Sequence, residues 1–351
     1  MRILMPTIWF HRGASYVTKT LRDILVSLGH DVFIFARTGG VYGVPKLETD
    51  NEWNVPNLIT YPEYKINSDD LIKCIKDNDI SCVIYNEEYD LKMIYDVKKN
   101  TGVKTITYLD YYKADWKEFM SVYDDVWCST KRSFNVVKDI CNASYIGWGI
   151  DTDLFKPSVS HRKKFTFFIN GGWLGINNRK GVPEALLAFD EACKHNYDIT
   201  LLVHTQVGLD VFPPSIINII NNNDRIKHII GTFPHPGFYN EALWYLAPSK
   251  LEGLGLPLLE ALSSGLPCIT TNSQPMNEFI INNYNGYLIG VDGFLKREDN
   301  LYFEEAIINH NSFVEILLNI SDRIKMSVNA RKFIVDNFTM DCLKNRIGCL
   351  L

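Results

Sequence analysis

Short apolar runs alternate with amphipathic stretches along most of the chain, and this alternation predicts its elements. Ile3-Leu4-Met5 reads as a strand, a loop follows through Gly13, and Val17, Leu21, Ile24, Leu25 and Leu28 then share one face of a helix. Ser15 is the expected N-cap of that helix and Gly29 its stop, ahead of a strand at Val32-Phe33-Ile34-Phe35. Cys82-Val83-Ile84-Tyr85 and Val103-Lys104-Thr105-Ile106 continue the series, with helical segments between them. Apolar strands separated by helices are those of a parallel sheet covered on both faces, so this half is expected to be a doubly wound α/β domain.

The periodicity breaks into turn formers over residues 147–157, and a second alternating series begins at 165–169. It continues through strands at 200–203, 227–230, 244–247 and 268–270 and ends in helical sequence from about 311 to 350. At 351 residues the chain exceeds what one core usually supports. The expected division is a Rossmann-like domain over 1–152, a second over 153–335, and a C-terminal helix over 336–351 placed to pack back toward the first. No internal repeat or low-complexity segment interrupts this pattern.

Residues 249–260 read Ser-Lys-Leu-Glu-Gly-Leu-Gly-Leu-Pro-Leu-Leu-Glu and carry the most chemistry. The strand at 244–247 precedes them, Pro257 is placed as the first helical residue, and Gly265 is the stop. A strand-loop-helix unit presents amides and a positive dipole end to an anion, and Gly253 and Gly255 let a diphosphate approach the backbone without meeting a Cβ. Glu252 and Glu260 would repel that anion. They fit if they accept hydrogen bonds from hydroxyls of the same ligand, as an acidic residue does for ribose in dinucleotide folds. A nucleoside diphosphate sugar has hydroxyls at both ends. The plainer reading of the pair is a solvated helix face with a surface glutamate ahead of it.

Composition narrows the class. Apolar residues at 46% and charged residues at 22% exclude a disordered chain and a coiled coil. A net charge of −5, with His161-Arg162-Lys163-Lys164 as the one compact cationic run, gives little attraction for nucleic acid. That run reads as a solvated linker, a phosphate or peripheral membrane contact being the alternative. The eight cysteines show no Cys-x-x-Cys spacing, which implies neither a zinc site nor a disulfide framework and points to a reducing compartment. With no apolar signal core and no apolar stretch of about 18 residues, the expected location is the cytoplasm. The first loop has one glycine where a dinucleotide fingerprint needs three, so a nicotinamide enzyme is disfavoured.

Together these pieces resemble retaining glycosyltransferases of the GT-B fold, in the large family 4 (glycosyl transferases group 1). Three segments carry the resemblance: Gly149-Ile150-Asp151 with Phe155 and Pro157; Arg179-Lys180-Gly181; and Glu252 to Glu260 followed by Ala261, Gly265, Pro267 and Ile269. Pro275-Met276-Asn277-Glu278 and Asn285-Gly286-Tyr287-Leu288 also fit it. The resemblance implies two facing Rossmann-like domains with a cleft between them, the acceptor mainly on the first and the donor mainly on the second. It assigns Glu260 to the ribose hydroxyls, Glu252 to the hydroxyls of the transferred sugar, and the backbone of Gly253, Leu254, Gly255 and Leu256 to the diphosphate and sugar. Lys180 matches the lysine that contacts the diphosphate, and Gly13 the first-domain loop that approaches the donor phosphates.

Two departures stand out. The arginine that many relatives carry after the first strand of the second domain is replaced by Asn170-Gly171-Gly172-Trp173-Leu174, leaving Arg179 or the glycine amides to substitute. The acceptor-side histidine is missing from Thr107-Tyr108-Leu109-Asp110, and Asp110, His11 and Tyr108 are its candidate replacements. His204 and His235 read as structural before catalytic. Asp151-Thr152-Asp153 invites a metal reading, but in the hinge motif Asp151 is placed to accept from turn amides and Asp153 to cap the residues after it.

The resulting expectation is a metal-independent, cofactor-free retaining hexosyltransferase of polysaccharide biosynthesis. It would use a UDP- or GDP-linked donor and a glycan, glycolipid or other hydroxyl acceptor, with Glu252, Lys180 and Asp110 as catalytic candidates. The acceptor would attack on the face the diphosphate leaves, a phosphate oxygen taking its proton; a double displacement would find no nucleophile beyond Glu252. Gly231-Thr232-Phe233-Pro234-His235 is expected to meet the base through main-chain groups. The rival is a non-catalytic nucleotide-sugar sensor or partner subunit, favoured by the missing histidine and arginine. Transfer to DNA bases is weakened by the acidic charge and the lack of a basic groove.

Overall fold

The computed structural model describes residues 1–10, 13–38, 47–50, 53–86, 88, 90–110, 120–158, 164–174, 178–297 and 304–351. The chain divides into two compact units, Met1–Gly147 together with Leu343–Leu351, and Trp148–Cys342. The division falls a few residues before the turn-forming Asp151-Thr152-Asp153.

In the first unit the order is β1 (Arg2–Ile8), α1 (Gly13–Ser27), β2 (Asp31–Arg37), β3 (Leu58–Tyr61), α2 (Ser68–Asp77), β4 (Cys82–Asn86), α3 (Leu91–Thr101), β5 (Lys104–Leu109), β6 (Asp125–Cys128), α4 (Lys131–Val137) and β7 (Ala143–Tyr145). Its strands form one parallel sheet in the order β3-β2-β1-β4-β5-β6-β7. Val17, Leu21, Ile24 and Leu25 are buried along α1, as the 3.6-residue period requires. Ser15 is not the cap of this helix. The helix already starts at Gly13, and Ser15 lies fully buried inside its first turn, donating its hydroxyl to the Ile8 carbonyl over 3.0 Å.

The second unit runs β8 (Phe165–Gly172), α5 (Val182–Cys193), β9 (Leu201–Thr205), α6 (Pro214–Asn222), β10 (Ile226–Ile230), β11 (Ala242–Ala247), α7 (Leu256–Ser263), β12 (Cys268–Thr271), α8 (Met276–Phe279), β13 (Gly286–Ile289), β14 (Val291–Leu295), β15 (Glu305–Ile308), α9 (His310–Leu318) and α10 (Arg323–Asn337). Then α11 (Met340–Gly348) carries the chain into the first unit from Leu343 onward. Strands β8 to β13 form a parallel sheet in the order β10-β9-β8-β11-β12-β13, while β14 and β15 pair antiparallel apart from it.

Alternation along these strands sends one set of side chains to each face. Phe167, Ile169, Leu201, Val203, Trp244 and Leu246 join one core with Val182, Leu186 and Phe189 of α5. On the other face Phe168 and Tyr245 pack against Tyr239, with ring centroids 5.6 Å away in each case. Strand order reverses between β8 and β11, and the loops leaving their carboxyl ends diverge to opposite sides there, which is where open α/β sheets bind ligands. Among the described residues no helix is long and apolar enough to cross a membrane.

Candidate active site

The loops after β8 and β11 are locked together at the switch point. Gly181, at φ 68°, precedes α5, and a Cβ there would lie 1.9 Å from the carbonyl oxygen of Pro248. The Lys250 amide donates to the Arg179 carbonyl over 2.7 Å, so the two backbones are also hydrogen-bonded. This registration carries Arg179 and Lys180 onto Glu252.

Lys180 Nζ donates to Glu252 Oε1 over 2.5 Å and Arg179 Nη1 to Glu252 Oε2 over 2.6 Å. Ser249 Oγ donates to Oε1 over 2.8 Å, and Arg179 Nη1 also reaches the Leu251 carbonyl at 2.8 Å. Burial pushes the Glu252 carboxyl up, but Arg179 and Lys180 outweigh it and hold the group down at about 2. Lys180 is itself shifted down, by burial and by the like charge of Arg179, against the pull of Glu252. Among the described residues two cations, Arg179 and Lys180, share the Glu252 carboxylate, so these three side chains together carry one surplus positive charge. Both Glu252 oxygens are engaged by basic side chains, a relation the sequence does not display because the partners are 72 and 73 positions apart.

Beside this cluster Gly255, at φ 85°, leads into α7 without a capping side chain, and Pro257 occupies the first turn rather than the first helical position, which Leu256 takes. Gly253 and Leu254 are buried between Glu252 and this turn. Asn170, Lys180, Ser249, Glu252, Gly255 and Met276 line a common pocket, which thus gathers a cation, a carboxylate, a hydroxyl and the helix start in one place. A larger open concavity along the first turns of α10, from Asp322 to Asn329, is lined by none of the candidate residues.

Glu260, on α7, belongs to a separate hydrogen-bond network. It is 7% exposed and accepts from Tyr239 Oη at Oε2 over 2.6 Å. Burial raises its carboxyl above the ordinary value, countered by the Tyr239 bond and by the charges of His235 and Lys180. Tyr239 also bonds the Asn170 side chain. Asn170 Oδ1 lies 3.1 Å from His204 Nδ1, and His204 Nε2 lies 2.8 Å from the Gly231 carbonyl. A carbonyl only accepts, so Nε2 carries a proton and His204 ties β9 to the loop after β10. Its partners make it a structural histidine, and burial lowers its pKa. The ring of His235 packs edge-on against Phe155 at 5.4 Å.

Asn170, Tyr239 and Ser249 take part in these networks and are not marked by any motif. Asn170 closes the regular part of β8 ahead of a register shift at Gly171-Gly172. Gly171 is constrained by packing, since a Cβ there would lie 2.9 Å from the Val182 side chain.

Gly13 and Asp110 belong to the first unit. Gly13 opens α1, and a Cβ there would meet nothing within 4 Å. Asp110 directly follows β5, whose Tyr108 is buried, and His11 lies outside the described residues, as do His161, Arg162 and Lys163. Asp151 Oδ1 accepts from the amides of Asp153 and Leu154, each over 2.9 Å. Among the described residues, no three His, Cys, Asp or Glu side chains cluster so as to hold a metal ion.

Residues 152–292 match the family model of glycosyl transferases group 1. Over 215 residues the chain is 50% identical to the GtfA subunit of a UDP-N-acetylglucosamine–peptide N-acetylglucosaminyltransferase from Streptococcus agalactiae, a match covering 60% of this chain and 41% of that protein. The chain spans less than half the length of the curated relatives it matches. A solved glycosyltransferase from Rickettsia africae superposes with a TM-score of 0.77 at 16% identity, covering 99% of this chain and 97% of that one. The pneumococcal O-GlcNAc transferase GtfA, solved with UDP and GlcNAc, does so with 0.74 at 12%, covering 100% and 98%. The two parallel-sheet α/β units resemble in fold those of GT-B glycosyltransferases.

Proposed function

We propose that the chain is a retaining glycosyltransferase that moves a hexose from a UDP-linked donor to a hydroxyl acceptor without a metal ion. The observation that carries this reading is the Arg179–Lys180–Glu252 cluster beside the start of α7, whose Lys180 and Glu252 line one pocket with the helix N-terminus. A diphosphate leaving group gains negative charge as its bond to the sugar breaks, and fixed positive groups at that spot stabilise the transition state more than the bound donor.

Lys180 has three N–H donors, so it can hold Glu252 and turn another toward the phosphate. Glu252 keeps both cations in place and, facing the same pocket, receives the hydroxyls of the transferred sugar. Glu260 takes the ribose and the amides from Gly253 to Leu256 the diphosphate. The bond from the anomeric carbon to UDP breaks, the acceptor oxygen bonds to that carbon on the same face, and the acceptor proton passes to a phosphate oxygen of UDP. Asp110 is the candidate first-unit carboxylate for orienting the acceptor.

The name of the Streptococcus agalactiae relative supports UDP as the carrier, N-acetylglucosamine as the first sugar to test, a peptide hydroxyl beside glycans as acceptor, and a working form that includes a second subunit. The eight cysteines, none paired with another, support a reducing interior such as the cytoplasm.

A thermal-shift screen of UDP, GDP and ADP sugars, followed by an assay of slow UDP release with and without EDTA, tests the reading. The expected result is stabilisation by UDP-N-acetylglucosamine and release that EDTA leaves intact. Stabilisation without any release would indicate a sensor instead, and release abolished by EDTA and restored by magnesium or manganese would refute metal independence.

A further inference from the structure

A hydrogen-bond chain runs from the Gly172 amide at the end of β8 to the carboxylate of Glu260. Tyr239 stands in its middle. A phenol has one proton, and Tyr239 gives it to Glu260 Oε2 over 2.6 Å, so its oxygen accepts from the Asn170 side chain. Asn170 Oδ1 in turn accepts from the Gly172 amide at 3.2 Å.

The phenol cannot swing elsewhere. Tyr239 is 2% exposed, and the rings of Phe155, Phe168 and Tyr245 surround it at 5.9, 5.6 and 5.6 Å. Among the described residues no group hydrogen-bonds the other carboxylate oxygen, Oε1 of Glu260. One oxygen is thus anchored and the other available, which turns a flexible glutamate into an oriented acceptor.

We propose that Tyr239 is a positioning residue that presents Glu260 Oε1 to the ribose of the donor and thereby sets the preference for ribonucleotides over their deoxy analogues. The inference rests on Glu260 being the ribose carboxylate. A site built around a hydrogen bond to a hydroxyl rejects the analogue lacking it, because the buried acceptor is left without its partner. That rejection requires the acceptor to be held in place, and Tyr239 holds it.

The test uses calorimetric affinities of the full chain for UDP, 2′-deoxy-UDP and 3′-deoxy-UDP. Wild type is expected to bind UDP roughly ten- to a hundred-fold tighter than at least one deoxy analogue, the range of one charged hydrogen bond. Tyr239→Phe, which removes a single oxygen, should reduce that ratio to about threefold or less. Asn170→Ser, which keeps the phenol but removes the amide that fixes its proton, should give a ratio between the two. A general loss of packing would weaken all three nucleotides alike and leave the ratio intact. If Glu260→Gln abolishes the preference while Tyr239→Phe and Asn170→Ser both retain it, the positioning role is wrong and the ribose assignment stands. If Glu260→Gln itself retains the preference, the ribose assignment falls and this inference with it.

Discussion

Gly181 and Pro248 approach so closely that a Cβ on the glycine would lie 1.9 Å from the proline carbonyl oxygen, and Gly181 also holds a left-handed φ of 68°. Only glycine satisfies both conditions, and the contact is what lays Lys180 beside Glu252. Gly181→Ala should therefore lower stability by at least ~1–3 kcal/mol, the cost of a non-glycine residue in that conformation before the clash is added. Urea unfolding followed by circular dichroism measures it. A wild-type midpoint would show that the two loops can separate freely.

Glu252 gives stability an acid limb. Its carboxyl is held at about 2 in the folded chain, where burial is outweighed by Arg179 and Lys180, against an ordinary 4.5. A depressed folded value means the contribution is complete above about pH 4.5 and fades as pH falls through 2. Between pH 6 and pH 3 the wild type should lose about 2 kcal/mol more than Glu252→Gln does. Equal losses in parallel urea titrations would mean that the cluster does not hold Glu252 ionised. In turnover, Glu252→Gln should cost roughly ten- to a hundred-fold.

For Glu260 the sign is opposite. Burial raises its folded carboxyl, so its contribution is present below the unfolded value and is lost as pH rises through the folded one. At pH 7 the charge is a liability to stability. Glu260→Gln should melt at or above the wild-type temperature at pH 7, with the advantage shrinking in acid, while nucleotide affinity falls roughly ten- to a hundred-fold. Scanning calorimetry at pH 7 and pH 4.5, paired with nucleotide titration, decides it. A destabilised variant that binds normally would contradict both halves.

Much of this arrangement is legible in the sequence, and the exceptions have physical causes. β9 and β12 are buried throughout and β11 nearly so, because the sheet is covered on both faces, and the apolar runs within them announce them. β14 contains Asp292 and Gly293, sits outside that sheet and leaves Phe294 and Leu295 exposed, so no burial pattern marks it. Ser15 has the composition of a cap, but the helix begins two residues earlier and its hydroxyl is used by a buried carbonyl. The glutamates at 252 and 260 are visible as a pair through their spacing. Arg179 and Lys180 become neighbours of Glu252 only through the crossovers that put β8 beside β11, while Tyr239 meets Glu260 across β11, 21 positions on, and no local pattern encodes either contact.

Stereochemistry tests the central claim most directly. On the proposed mechanism the diphosphate is held by Lys180 and the start of α7, so that its leaving oxygen would stay on the face where the acceptor arrives and serve as the base. Inversion would instead require a side-chain base on the opposite face, and Asp110 is the first-unit carboxylate nominated for it. The decisive measurement is proton NMR of the product formed from an α-linked UDP-sugar, by wild type and by Asp110→Asn. An α linkage, with Asp110→Asn retaining activity, is the predicted result; a β linkage, with activity abolished in Asp110→Asn, would contradict the account.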